Sequence, residues 1–114
     1  MENKRAVGTK YEQIAGDFLQ NKGIRILEYN FFCKKGEIDI IGMDKNTLVF
    51  VEVKYRKNDS FGEPYASVDF RKQKKIRDSA VIYLMSKDLY ERIPCRFDCI
   101  SICGNKINWI KDAF

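Results

Sequence analysis

Two segments with the composition of strands, separated by a short polar turn, constrain the fold of this chain more than any other feature. Residues 37–43 read EIDIIGM and residues 47–55 read TLVFVEVKY, with Asp44, Lys45 and Asn46 between them. β-Branched and aromatic residues of this density are typical of strands, and so short a connection joins strands that run antiparallel. If the turn lies between Lys45 and Asn46, Asp39 falls directly opposite Glu52.

The first helix is predicted over residues 10–22, where apolar residues recur at helical spacing. Thr9 and Glu12 have the spacing of a capping box, and Gly23 supplies a C-terminal stop. Glu12 projects close to the apolar margin of this helix, from which it can look inward toward the sheet. As the alternative, Glu12 is only the third residue of its capping box.

The other elements are indicated by composition and turn residues. Further strands are predicted over residues 24–32, 96–103 and 106–110, and a second helix from Ser67 or Asp69 to residue 87. Residues 56–68 are predicted to form a loop of about a dozen residues. Loops of this length more often have a function than serve only as connections.

The order α-β-β-β-α-β-β predicts an α/β fold with a central mixed five-stranded sheet flanked by helices, in a single domain over residues 1–114. A helix joins the third strand to the fourth, so we expect these two strands to be parallel.

Composition excludes several kinds of chemistry. The chain has no histidine, which rules out histidine bases and mixed cysteine–histidine zinc sites. Its net charge of +5 favours a polyanionic partner weakly, and no apolar stretch approaches the roughly 20 residues of a membrane helix, so we expect a soluble, cytoplasmic protein. We expect reduced, buried thiols at its four cysteines, Cys33, Cys95, Cys99 and Cys103.

Carboxylates and a lysine on the predicted hairpin form the strongest candidate site. By strand alternation Glu37, Asp39 and Ile41 share one side of their strand, and Glu52 and Lys54 share one side of the next. Two carboxylates facing each other repel by up to about 1 kcal/mol, which a divalent cation such as Mg²⁺ or Mn²⁺ would neutralise.

A hydrolytic site follows from that arrangement. The backbone carbonyl of Val53 is a candidate further ligand, and Glu12 can complete the shell from the first helix. Lys54 can orient or deprotonate a water molecule that attacks phosphorus. The alternative without catalysis is a solvated strand face with a cross-strand salt bridge.

These motifs, in this order, resemble a known family. The chain resembles the YraN-like group of bacterial proteins. The motifs that carry this resemblance are an acidic residue in the first helix, GEIDII, FVEVKYR, a basic helix with Lys72 and Gln73, and RFDCISI. That group is similar to Holliday-junction resolvases within the restriction-endonuclease-like PD-(D/E)XK nuclease superfamily. One departure is Ile38, where the superfamily pattern often has proline before the acid.

The resemblance implies a restriction-endonuclease-like core and a magnesium- or manganese-dependent endonuclease that hydrolyses phosphodiester bonds of DNA, including branched or repair intermediates. By position it implies metal-binding acids at Asp39 and Glu52, a catalytic lysine at Lys54, the helix-one glutamate at Glu12, and the second-helix Lys/Gln position at Lys72 or Gln73. It also implies a homodimer, by analogy with resolvases.

A basic stretch in the second helix is the candidate DNA-binding surface. Cations here can hold adjacent phosphates with an affinity that depends on salt, although such a stretch is also typical of a solvated helix face. The candidate nucleic-acid-binding residues are Arg56, Arg71, Lys72, Gln73, Lys74 and Lys75.

Two other functions stay open at this point. One is a catalytically silent nucleic-acid-binding module of the same fold, which the clustered acids argue against because they would repel phosphate. The other is an assembly protein that binds a partner through apolar residues of the segment from Phe61 to Tyr65.

Overall fold

The computed structural model describes residues 4–56 and 68–114. Its elements follow one another as α1 (Lys4–Asn21), β1 (Arg25–Cys33), β2 (Gly36–Asp44), β3 (Thr47–Arg56), α2 (Phe70–Ser86), β4 (Cys95–Cys103) and β5 (Lys106–Ile110). This order confirms the predicted α-β-β-β-α-β-β arrangement. Most of the loop predicted over 56–68, including the segment from Phe61 to Tyr65, lies outside the described residues.

The five strands form one sheet in the order β1-β2-β3-β4-β5. β3 and β4 are parallel, and the other neighbouring pairs are antiparallel, so the sheet is mixed as the connections predicted. The β2–β3 hairpin closes with Asp44 opposite Thr47, which places the turn at Lys45 and Asn46 as expected. Lys45 takes the left-handed conformation (φ 56°) that a turn this tight requires.

The two helices cover opposite faces of the sheet. Side chains of β3 alternate between two cores: Leu48 and Phe50 pack with α2, while Val49 and Val51 pack with α1. We call these the α2-side core and the α1-side core. Each helix contributes its own apolar stripe, Ile76, Ala80, Tyr83 and Leu84 from α2 and Ala15 and Leu19 from α1.

Helix α1 begins at Lys4, so the capping box predicted at Thr9 and Glu12 is wrong. Both residues lie inside the helix. Gly8 is the residue before Thr9 that most disfavours a helix, and an interior glycine costs only about 1 kcal/mol relative to alanine. The helix continues through Gly8 and Thr9, and the interpretation of Glu12 as a mere capping residue is excluded with it.

Helix α2 begins directly after Asp69, one of the two starts that the sequence predicted. Asp69 is its N-cap, and its carboxylate accepts a hydrogen bond from Lys72 N at 2.9 Å. The side chain of Gln73 donates from Nε2 to the carbonyl of Val68 at 2.7 Å, which fixes the entry to the helix. No helix of the described residues is long and apolar enough to cross a membrane.

The end of the chain is tied to β4 through Asp98, whose carboxylate is fully buried. It accepts hydrogen bonds from Arg96 Nε at 3.0 Å, Trp109 Nε1 at 2.9 Å and Asp112 N at 2.9 Å. Arg96 also donates to Asp44 at 2.8 Å, so this buried charge is paired and hydrogen-bonded.

The four cysteines are free, and only Cys99 is buried. The expectation of buried thiols is therefore wrong for Cys95, which is exposed, and only partly met for Cys33 and Cys103. Cys95 is the first residue of β4 and Cys103 the last, whereas Cys99 lies in the middle of that strand and joins the α2-side core.

Candidate functional site

Asp39 lies where β2 separates from β3. Their paired register ends at Ile40 opposite Val51, one residue short of Asp39 and Glu52. In place of a further ladder bond, Val53 N donates to Asp39 Oδ2 at 2.8 Å. The carboxylate of Asp39 therefore reaches the backbone of β3 and is only 7% exposed.

This separation breaks the side-chain alternation of β2. Ile38 and Ile41 both join the α2-side core, whereas Ile40 joins the α1-side core. Strict alternation would have put Ile38 and Ile40 on one face. The strict alternation that put Glu37, Asp39 and Ile41 on one side therefore does not hold along β2, because the strand changes its orientation where Asp39 takes the hydrogen bond of Val53, although the carboxylates of Glu37 and Asp39 do come together.

Glu12 and Glu37 meet Asp39 at this point. A ligand oxygen from each of the three carboxylates lies within 4.8 Å of the other two, and we call the three residues the acidic trio. The position of Glu12 follows from the packing of α1, whose Ala15 and Leu19 are fully buried in the α1-side core. Immediately before Glu12, the ring of Tyr11 stacks on that of Tyr55 at 3.7 Å between centroids, which fixes the helix against β3.

Glu52 is buried close to Asp39, whose charge acts on it. Lys72 Nζ, from α2, lies 3.3 Å from Glu52 Oε1. The second oxygen, Oε2, is buried and has no hydrogen-bond partner among the described residues. A carboxylate oxygen buried without a partner, in a residue that is only 6% exposed, is costly unless a proton, a cation or a water molecule completes it.

The electrostatics show a surplus of negative charge. Burial, followed by the charge of Asp39, raises the pKa of Glu52 to about 8, although Lys72 opposes the shift. Burial and the charge of Asp39 likewise raise the pKa of Glu12 to about 7, against a hydrogen bond from Asn30 that lowers it. For Lys72, burial acts to lower the pKa, but the charges of Glu52 and Asp39 outweigh it and raise the pKa.

The donor set fits a divalent cation such as Mg²⁺ or Mn²⁺. Hard cations prefer carboxylate and carbonyl oxygens, and the site offers four carboxylates of which one is paired with a lysine. The N–H and the C=O of one residue point to the same edge of an extended strand, so the Val53 carbonyl also faces the side of β3 where Asp39 lies.

Lys54 lies on the Glu52 side of β3. It is half-buried, two residues beyond Glu52, and its charge acts on the Cys99 thiol in the α2-side core. Burial and then the charge of Glu52 raise the pKa of that thiol to about 11, whereas Lys54 lowers it. Lys54 and Glu52 therefore share a neighbour on the same face of the sheet, as alternation predicted.

The basic residues of α2 divide into different roles. Lys72 reaches Glu52, so of the two positions left open for the second-helix residue it is Lys72 that contacts the site, while Gln73 turns back to Val68. Lys74 pairs with Asp78 at 2.9 Å on the surface. The remaining predicted nucleic-acid-binding residues are exposed or half-exposed side chains at Arg56, Arg71 and Lys75.

Glu37 is the member of the cluster that the sequence reasoning did not assign to metal binding. Its signal was its position two residues before Asp39 on the same strand. That signal was weak, because the local change of orientation in β2 decides which side chains converge there.

The comparisons with known proteins agree on one family over most of the chain. Residues 11–102 match the family described as "Uncharacterised protein family UPF0102". A UPF0102 protein of Pseudomonas syringae pv. syringae (strain B728a) is 42% identical over 116 residues, which cover 97% of this chain and 94% of that protein. A UPF0102 protein of Clostridium botulinum (strain Loch Maree / Type A3) is 45% identical over 114 residues, covering 95% and 93%. One from Francisella tularensis subsp. tularensis (strain WY96-3418) is 46% identical over 109 residues.

Proposed function

The chain belongs to the UPF0102 family, and from the geometry of its site we propose that it is a divalent-metal-dependent endonuclease that hydrolyses phosphodiester bonds of DNA. One observation carries the proposal: Asp39 meets Glu12 and Glu37 and lies close to Glu52, whose buried Oε2 has no hydrogen-bond partner among the described residues, with Lys54 on the same strand as Glu52. In a simple salt bridge the positive partner lowers the pKa of the carboxylate, whereas burial and the charge of Asp39 raise the pKa of both Glu12 and Glu52 here.

A cation held by Asp39 and its neighbours would act as a Lewis acid, lowering the pKa of water and offsetting the charge of the phosphate. The Lys54 ammonium can donate hydrogen bonds to a phosphate oxygen or hold the attacking water in line. Lys72, which lies against Glu52, can turn its charge to an incoming phosphate once a cation relieves the carboxylate.

The cations of α2 supply the surface along which DNA would lie. Arg71 and Lys75 project into solvent from the helix that carries Lys72, and Arg56 ends β3 beyond Lys54. Their contacts would be to phosphates, so affinity would fall with rising salt and carry no sequence preference. Branched or repair intermediates and a homodimer are the substrate class and assembly that the resolvase resemblance suggests, and a cytoplasmic location is expected from the sequence.

Cleavage of labelled DNA tests the proposal. The protein is incubated with linear duplex, single strand and four-way junction in magnesium, manganese or EDTA, alongside Asp39→Asn and Lys54→Met. Asp39→Asn keeps an oxygen for the hydrogen bond of Val53 N, and Lys22→Met is a control that removes an exposed lysine at the end of α1. We expect metal-dependent cutting that both site variants lose and the control retains.

A nucleic-acid-binding module without catalysis is the second candidate, favoured by the exposed cations of α2. Salt-sensitive binding of DNA with no cutting in any metal would support this candidate and refute the endonuclease.

A further inference from the structure

Asp39 is close to two groups, the two glutamates that complete the acidic trio and the Glu52–Lys72 pair. Glu52 is not a member of the group whose ligand oxygens lie within 4.8 Å of one another, whereas Glu37 is. We propose that Glu37 is a direct ligand of the divalent cation together with Glu12 and Asp39, and that Glu52 acts from outside this ligand set. The inference rests on the metal site of the proposed function and names its ligands.

The spacing of the trio suits a small hard cation. At Mg–O distances of 2.0–2.1 Å, oxygens on opposite sides of the ion lie about 4 Å apart and adjacent ones about 3 Å apart. Separations of at most 4.8 Å therefore need adjustments of about 1–2 Å, within reach of the rotatable bonds of two glutamates. Asp39, held by Val53 N at 2.8 Å, is the fixed member around which the glutamates can close.

Glu52 lies against a lysine of α2. Lys72 Nζ lies 3.3 Å from its Oε1, which compensates part of its charge. Its Oε2 is a second, independent sign that the cluster is incomplete, because this oxygen is buried near Asp39 and has no hydrogen-bond partner among the described residues. A water molecule ordered by the cation would satisfy it.

The trio also joins two elements that sequence keeps apart. Glu12 comes from α1 and Glu37 and Asp39 from β2, so a cation bound to all three would tie the helix to the sheet. Removing Glu37 would then weaken cation binding more than removing Glu52, the reverse of the order expected if the ion sat between Asp39 and Glu52 as the sequence predicted.

Manganese binding to the full chain tests this without nucleic acid. After removal of metal with EDTA, Mn²⁺ is titrated by calorimetry and by electron paramagnetic resonance into the wild type, Glu37→Gln, Glu52→Gln and the control Glu28→Gln. Glu28 is a half-buried carboxylate of β1 outside the trio. Loss of an outer-shell partner lowers metal affinity roughly 10–100-fold, so we expect a loss of that order in Glu52→Gln, a larger one in Glu37→Gln and none in the control.

Thermal unfolding without metal shows whether the variants fold. Glu37→Gln should unfold in one cooperative transition in EDTA, as the wild type does, while the increase in melting temperature produced by Mn²⁺ should shrink.

Three results would overturn the inference. In the first, the wild type binds Mn²⁺ and Glu37→Gln binds it as tightly as the control does. This result would leave the proposed nuclease function intact. Another is Glu52→Gln losing more affinity than Glu37→Gln. The third is a wild type that binds no Mn²⁺, which removes the proposed metal-dependent function as well. Binding by the wild type that Glu37→Gln weakens, with no DNA cut, supports the inference and refutes only the nuclease.

Discussion

Stability of the metal-free protein should fall as pH rises, because of Glu52. Its pKa is raised from the ordinary 4.5 to about 8, so between those values the folded chain binds a proton that the unfolded chain has released. The contribution of protonated Glu52 to the free energy of unfolding is therefore complete below its ordinary pKa of 4.5, and it is lost as pH rises through about 8. The raised pKa of Glu12 acts in the same direction up to about 7. Lys72, with a pKa raised above 10.5, contributes equally throughout this window.

The magnitude follows from the shift of Glu52. At roughly 1.4 kcal/mol per pH unit, the displacement corresponds to at most about 5 kcal/mol. Water penetration and relaxation around a carboxylate beside Lys72 reduce this, so we expect the free energy of unfolding to fall by on the order of 2–4 kcal/mol between about pH 5 and pH 8. Glu52→Gln has no charge to desolvate, so it should remove most of this fall and be the more stable protein at about pH 8.

Urea denaturation in EDTA at about pH 5, 6.5 and 8, followed by circular dichroism, measures this directly. Glu28→Gln is the matched control, since it makes the same chemical change on β1 and should leave the pH dependence as in the wild type. Adding Mg²⁺ should restore stability at about pH 8 in the wild type, because the ion binds the ionised cluster. A wild type whose stability is flat or rises with pH, or a Glu52→Gln protein with an unchanged slope, would refute the reasoning.

Three further predictions concern packing and charge. Gly16→Ala should destabilise the fold by about 1–3 kcal/mol in urea denaturation, because a Cβ there overlaps the hydroxyl of Tyr29, and Tyr29→Phe should recover part of the loss. Asp98→Asn should cost about 2–4 kcal/mol in the same assay, since the carboxylate accepts three hydrogen bonds in a fully buried position, whereas the exposed Asp88→Asn should cost under about 1 kcal/mol. Lys72→Met should shift the loss of stability of the metal-free protein to higher pH, because Lys72 holds the pKa of Glu52 down; Lys74→Met, which breaks only a surface pair, should not.

Local patterns were enough to predict the frame of the site. The turn at Lys45 and Asn46 fixes the β2–β3 register by counting, and the helix between β3 and β4 implies their parallel pairing. Alternation along β3 correctly put Glu52 and Lys54 on one face, because that strand is regular and central. These features depend on residues close together in the chain.

The details that decide the chemistry depend on tertiary packing. The hydrogen bond from Val53 N to Asp39 replaces a ladder bond, and only the folded pair of strands reveals the change of orientation that brings Glu37 to Glu12. The start of α1 at Lys4 had no local signal, because Gly8 and Thr9 are residues that more often flank a helix than continue one. Lys72 and Gln73 are adjacent and polar, so sequence could not say which one turns toward Glu52.

The buried carboxylate of Asp98 has a consequence for how β5 moves. A five-residue strand at the edge of a sheet would ordinarily fray and exchange its amide hydrogens quickly. Here Trp109 within the strand and Asp112 just after it both donate to Asp98, and Ala113 N donates to the carbonyl of Phe97. Opening β5 would break these three hydrogen bonds to β4 at once. The amide hydrogens of β5 should therefore exchange together with those of the central strands, as part of the slowest-exchanging unit of the chain.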